Sequence, residues 1–140
     1  GKICRIKNVP RRPAGPDIRQ IVIGNEGALC FITEVTMKLF PYLPQNNRYI
    51  AYKLDDSQMK LGFDCLREVM VNGYRPSFAR LYDAADAQQH FSAWLEPDKA
   101  ILIWMAEGAE GITKATYEGI KELMSKHPEL EPVETDLIEK

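Results

Sequence analysis

Few cysteines, only two histidines, no long apolar run and no dominant charge set the first limits on this 140-residue chain. Cys4, Cys30 and Cys65 are odd in number and widely spaced, with no Cys-x-x-Cys pair for zinc or thiol exchange, so they read as reduced packing residues. His90 and His127 each stand without a second histidine or a carboxylate at ligand spacing, which leaves surface or helix-end roles and no expected metal site. The longest apolar runs, Ile21 to Ile23 and Ala100 to Ala106, fall far short of the ~20 residues of a membrane-spanning helix. No signal-peptide core is present either, so a cytoplasmic location is the default. A formal charge of −2 argues against a dedicated nucleic-acid binder. Neither phosphate-binding glycine motif occurs, nor a G-x-S-x-G elbow with a Ser-His-Asp set.

What is present suffices for a globular core, with 45 % hydrophobic residues and no repeat or low-complexity tract. Charge is uneven along the chain. Residues 1–20 hold six basic side chains, among them Arg11 and Arg12, against Asp17 alone, while residues 126–140 hold five acidic against two basic. The basic start reads as a solvated loop, with an anionic ligand nearby as the alternative.

Leu29 to Leu39 carries Phe31, Ile32, Val35, Met37 and Leu39 with Thr33 and Thr36 interleaved, a strand pattern ended by Pro41 and Pro44. The following "PYLPQNN" reads as a linker, placing a domain boundary between residues 1–44 and 45–140. Beyond it the pattern predicts a strand at Arg48 to Leu54 and a helix from Ser57 to Asn72. That helix has Asp55, Asp56 or Ser57 as N-cap and Met59, Phe63, Leu66, Val69 and Met70 on its inner face. A strand at Ser77 to Tyr82, a short helix at Ala84 to Trp94 and a central strand at Lys99 to Glu107 follow. The last helix runs from Thr113 to Lys126 with Tyr117, Ile120 and Met124 inward. This order describes an α+β layer: a mostly antiparallel sheet, helices on one face, built from ferredoxin-like β-α-β units. A further strand is wanted after the last helix, and "HPELEPVETDLIEK" is too acidic and proline-broken to supply a good one, so both ends read as cut.

One segment invites a chemical reading. Gly15 marks a turn, Asp17 is placed to N-cap a short helix over Ile18 to Ile23, and Gly24 to stop it. Gly24 and Gly27 flank Asn25-Glu26 and allow positive φ or close approach of a ligand to bare backbone. On pattern alone a plain loop-to-strand turn is the simpler reading.

"PAGPDIRQIVIGNEGALCFITEVTMKLFP" resembles the end of the FAD-binding domain of the vanillyl-alcohol oxidase type, which carries a Gly-x-Asp turn, then Gly-Ser-Glu-Gly-Thr-Leu-Gly-Ile-Ile-Thr-Glu and a strand closing in proline. With "LREVMVNGYRPSFARLYD", residues 66–83, the form is most similar to alkyldihydroxyacetonephosphate synthase and its bacterial relatives. The resemblance covers roughly residues 8–127 and is weaker beyond residue 85. It implies that Glu26, Gly27, Ala28, Leu29, Cys30, Phe31 and Ile32 contact FAD, largely through backbone. It also implies that Arg80, in "ARLYD", serves beside flavin and substrate. Asn25 stands where the family has Ser, Ala28 where it has Thr, and Cys30 where it has a second Gly, so the side chain of Cys30 occupies room the family leaves open.

The implied organisation is a C-terminal piece of the FAD-binding domain (1–44) followed by part of a cap domain (45–140), a central fragment of a larger enzyme. That enzyme would be a FAD-dependent oxidoreductase, or a flavin-using synthase, acting on a small hydroxy acid, alcohol or phosphorylated ketone. The fragment alone is expected to be inactive. From a different class, the second reading is a non-catalytic α+β module that makes a homodimer through an exposed sheet edge, supported by the self-consistent strand and helix order of residues 48–127.

Overall fold

The computed structural model describes residues 1–9 and 15–138. Arg11, Arg12 and Ala14 of the opening stretch, and Glu139 and Lys140 of the acidic end, lie outside the described residues. The chain divides into two compact units, Gly1–Phe40 and Pro41–Lys140, each described by itself.

In the first unit the regular element is a four-residue helix, α1 (Arg19–Val22). Its cap position is Ile18 rather than Asp17. Asp17 still anchors the turn: its carboxylate accepts from the Arg19 backbone N–H at 3.2 Å and takes both Nε and Nη2 of Arg19 at 2.8 Å. The guanidinium also donates to the Val9 carbonyl at 2.8 Å, tying the start of the chain to α1. The strand expected over Leu29 to Leu39 does not form; this stretch has no regular structure. Its β-branched and aromatic residues encode a strand, but a strand exists only where its N–H and C=O groups are paired. No partner lies among the described residues of this unit, and Phe31 and Leu39 stand 90 % and 88 % exposed.

The second unit is built on a four-stranded antiparallel sheet of β1 (Arg48–Asp55), β2 (Phe78–Tyr82), β3 (Lys99–Ala106) and β4 (Glu131–Pro132), in the order β2-β3-β1-β4. The helices α2 (Met59–Val71), α3 (Ala84–Phe91) and α4 (Glu110–Met124) connect them. Because β1 and β2 both run antiparallel to the intervening β3, α2 joins two parallel strands split by a third. Helix α4 does the same for β3 and β4 around β1. The unit is thus α+β with two split β-α-β halves, and α3 is inserted between β2 and β3.

Alternation along β3 sorts the core. Ala100, Leu102 and the fully buried Trp104 face α2 and α4 with Ile50, Tyr52, Leu54, Cys65, Val69, Ile120, Leu123 and Met124. Ile101 and Ile103 face the other way, against Ala87 and Leu95, with Phe91, Trp94, Val133 and Ile138 beside them. The two long helices share one face as expected, but α3 and the C-terminal tail cover part of the other. The reason lies in β3, whose almost continuous apolar run buries both of its faces and so needs a cover on each.

Helix α2 is rotated from the expected face. Gly62, Cys65 and Val69 are buried, whereas Phe63 is 61 % exposed and Met70 is exposed too. Close packing on β2 explains the rotation: a Cβ at Gly62 would stand 2.8 Å from Leu81, so glycine marks the line of closest approach. None of the expected acidic caps serves α2. Asp56 instead accepts from the Ala84 N–H at 2.7 Å and, with Asp83 accepting from Asp86 N–H at 2.8 Å, caps α3.

The acidic tail does supply a short final strand. Tyr52 and Lys53 pair with Pro132 and Glu131, and the Val133 N–H donates to the Ala51 carbonyl at 3.0 Å. Its acidity is what fixes it. Glu131 reaches Lys99 at 3.0 Å and Lys53 at 3.4 Å, while Lys53 also meets Glu96 at 2.6 Å and Lys99 meets Asp55 at 2.8 Å. The lysine hydrogen bonds hold the Glu96 and Glu131 carboxyls below the usual glutamate range and push both lysines upward.

Candidate functional site

The candidate cofactor residues form one loop. After α1 the backbone turns through Gly24 (φ 78°), Glu26 (φ 47°) and Gly27 (φ 82°), three left-handed residues within four positions. Asn25 organises the turn. Its Nδ2 donates to the Val22 carbonyl at 2.6 Å, and its Oδ1 accepts from the N–H groups of Gly27 at 3.1 Å and of Leu29 and Cys30 at 3.3 Å. The Ala28 N–H donates to the Asn25 carbonyl at 2.8 Å. The sequence pattern did not single out this role for Asn25, although asparagine's short amide, suited to bonding its own downstream backbone, was the available signal.

A pocket of about 260 Å³ opens there, lined by Val22, Gly24, Asn25, Glu26, Gly27, Cys30, Phe31 and Ile32. A Cβ at Gly24 or Gly27 would meet nothing within 4 Å, so the glycines leave bare backbone facing open space. Five of the seven candidate cofactor residues line this pocket, and Ala28 and Leu29 lie between them on the same turn. The donors differ from a simple backbone cradle. The N–H groups of residues 27–30 are spent within the loop, and among the described residues those of Glu26, Phe31 and Ile32 have no partner, which leaves them and the loop carbonyls for a ligand. Cys30 is half-buried at the pocket wall and its thiol is free.

The other cysteines divide. Cys65 alone sits in the core, where burial first and the neighbouring carboxylates second push its thiol up to about 11, while Cys4 is exposed rather than packed. His90 ends α3, and His127 meets Glu68 at 2.9 Å just beyond α4. Among the described residues no three His, Cys, Asp or Glu side chains gather as a metal site. Among them, too, no helix is long and apolar enough to cross a membrane.

Arg80 belongs to the second unit, in the edge strand β2, on the same sheet face as Phe78 and Tyr82. It is exposed and opposite Ile103. Its Nη1 donates to the Tyr82 hydroxyl at 2.9 Å, and its guanidinium carbon lies 6.0 Å from the Phe78 ring centre. Among the described residues it has no carboxylate partner. A salt-bridged strand residue is the plain alternative for Arg80, and that is not its state. The flanking aromatics at i ± 2 fix the guanidinium without neutralising it, which leaves its remaining donors for an anion.

No protein-family profile matches the chain. It is 58 % identical over 139 residues to the FAD-linked oxidoreductase YgcU of Escherichia coli, in both the O157:H7 and K12 strains, across 99 % of the chain. It is 32 % identical over 143 residues to the alkyldihydroxyacetonephosphate synthase of Caenorhabditis elegans, across 92 % of the chain. The Trypanosoma brucei brucei protein of the same name is 30 % identical over 82 residues. The chain spans 28 % of the length of the Escherichia coli proteins and 24 % of the worm protein. Along nearly its whole length, the chain is homologous to a segment of the FAD-linked oxidoreductases.

Proposed function

We propose that the chain is the part of a FAD-dependent oxidoreductase, or of a flavin-using synthase, that joins the end of its FAD-binding domain to part of its cap domain. Glu26 to Ile32 line the flavin and Arg80 holds an anionic group. The observation that carries this reading is the run of left-handed residues at Gly24, Glu26 and Gly27, which opens bare backbone onto a pocket in a chain so closely related to FAD-linked proteins. At about 260 Å³ the pocket is smaller than most ligand sites, so this loop covers one portion of the cofactor. Bound flavin supplies a two-electron acceptor. The chain's own residues do the rest: the free N–H groups of Glu26, Phe31 and Ile32 and the loop carbonyls orient the ligand's polar edge, and Phe31 offers an apolar surface.

Arg80 suits a substrate bearing a carboxylate or phosphate, or negative charge developing during reaction, because its guanidinium is oriented by Tyr82 and Phe78 and has no carboxylate partner among the described residues. A small hydroxy acid or a phosphorylated ketone fits that charge; the synthase names among the relatives favour the phosphorylated ketone. A plain alcohol would use Arg80 only in the transition state.

The test is the visible spectrum of the native protein containing this chain with its flanking sequence. Flavin bands that an acidic substrate bleaches anaerobically, and that persist in Arg80→Ala while bleaching slows, are the expected result. A folded, colourless protein that takes up no added FAD would overturn the reading. It would favour the assembly module, for which the outer edge of β2, unpaired among the described residues, offers a strand-pairing surface for a homodimer.

A further inference from the structure

The end of β1 opposite the lysine–carboxylate cluster holds an unused group of donors. Arg48 opens β1, and its guanidinium carbon lies 6.0 Å from the ring centre of Tyr117 in α4. Lys121, one turn further along α4, brings its Nζ to 5.0 Å from the same ring centre and donates to the Tyr117 hydroxyl at 3.5 Å. Two cations thus share one aromatic ring, and among the described residues neither has a carboxylate partner. The Nε of Arg48 is buried with no acceptor. A buried donor without a partner is rare enough in folded proteins to need an explanation.

Arg48 also lines a pocket of about 100 Å³, together with Asn47, Tyr49, Tyr117 and Thr135. Every lining side chain can donate a hydrogen bond and none is an anion. Arg48 lines the pocket and Lys121 stands over the Tyr117 ring that also lines it, so both cations favour an anion there. At about 100 Å³ the pocket has room for a single oxyanion head.

We propose that this pocket binds a small tetrahedral oxyanion, a phosphate either free or at the end of a small ester, held by Arg48 with Lys121 adding charge and Asn47, Tyr117 and Thr135 adding donors. The site is independent of the flavin reading, because it stands on residues of the second unit alone. The planar fork of arginine matches two phosphate oxygens, and the Tyr117 face keeps that fork oriented.

The test is arginine-side-chain ¹H–¹⁵N NMR of the 140-residue chain, titrated with inorganic phosphate and, separately, methyl phosphate at constant ionic strength. The Nε–H signal that vanishes in Arg48→Lys is assigned to Arg48. It should shift and saturate with one or both ligands while chloride leaves it in place, and the tighter of the two identifies the source as free phosphate or ester. Arg48→Lys should weaken binding about tenfold, read from the Tyr117 amide, because lysine keeps the charge but loses the fork. Should that variant fail to fold, Lys121→Gln, at an exposed position, should weaken binding severalfold. A non-saturating drift that chloride reproduces, or unchanged affinity in the folded variants, would overturn the proposal.

Discussion

Gly119 offers a test in which two effects of known sign compete. It lies inside α4, where alanine in place of glycine gains about 1 kcal/mol of helix stability. A Cβ there would overlap the ring of Tyr74, which lies against the bare backbone and packs on the main core. The ring must swing out and lose that packing, and overpacking of this kind costs about 1–3 kcal/mol. Gly119→Ala is therefore expected to destabilise by about 1 kcal/mol net. At Gly111, in the first turn of the same helix, an added Cβ would meet nothing within 4 Å, so Gly111→Ala is expected to stabilise by up to about 1 kcal/mol. Urea unfolding followed by tryptophan fluorescence measures both, since Trp104 is fully buried in this unit. At about 4–8 °C per kcal/mol for a domain of this size, the two variants should also melt on opposite sides of the parent. In a Tyr74→Leu background the penalty at Gly119 should vanish, a coupling that a double-mutant cycle isolates. If Gly119→Ala stabilises as Gly111→Ala does, the Tyr74 contact does not set the helix position, and this account of α4 packing fails.

The lysine–carboxylate cluster predicts the course of acid denaturation. Glu131, lowered first by its hydrogen bond from Lys99, and Glu96, lowered first by that from Lys53, add stability that is present above the ordinary glutamate value of about 4.3. That contribution is lost as pH falls through their lower folded values. The urea midpoint should therefore drop below about pH 4.3, and Glu131→Gln should flatten the drop; an identical profile in the variant would remove the cluster from the explanation. In the first unit, Asn25→Ala should speed amide exchange at Gly27, Leu29 and Cys30 by about tenfold or more while leaving the urea transition of the second unit in place. Unchanged exchange at those three amides would show that the asparagine amide does not hold the loop.

The strands and long helices of the second unit are legible in the sequence because their signals are local: alternation in β1, a continuous apolar run in β3, and 3.6-residue periods in α2 and α4. What the pattern misplaces depends on a distant neighbour. Phe63 and Met70 belong to the inward stripe by spacing, but Leu81 presses α2 onto Gly62, and Asp56 has the place of a cap for α2 although its partner is Ala84, 28 residues away. By composition the acidic tail makes a poor strand, yet Glu131 finds its reason in Lys53 and Lys99, which no one-dimensional pattern pairs with it.

The same logic separates the two halves of the candidate site. The glycines around Asn25-Glu26 announce left-handed backbone, and Gly24, Glu26 and Gly27 adopt it. Glycine is also permissive rather than specific: the spacing does not say that Asn25 consumes the N–H groups of residues 27–30, and so which backbone atoms are left for a ligand. For Arg80 the sequence supplies the side chain and its strand but not its state of pairing, which decides whether it is a strut or a binding group. Phe78 and Tyr82, two residues away on either side, orient it without cancelling its charge, and that arrangement is readable only once β2 is known to be an edge strand with these three side chains on one face. Leu29 to Leu39 makes the converse case. Its pattern is a strand's, but among the described residues of this unit its backbone has no ladder partner, so the pattern alone makes no strand.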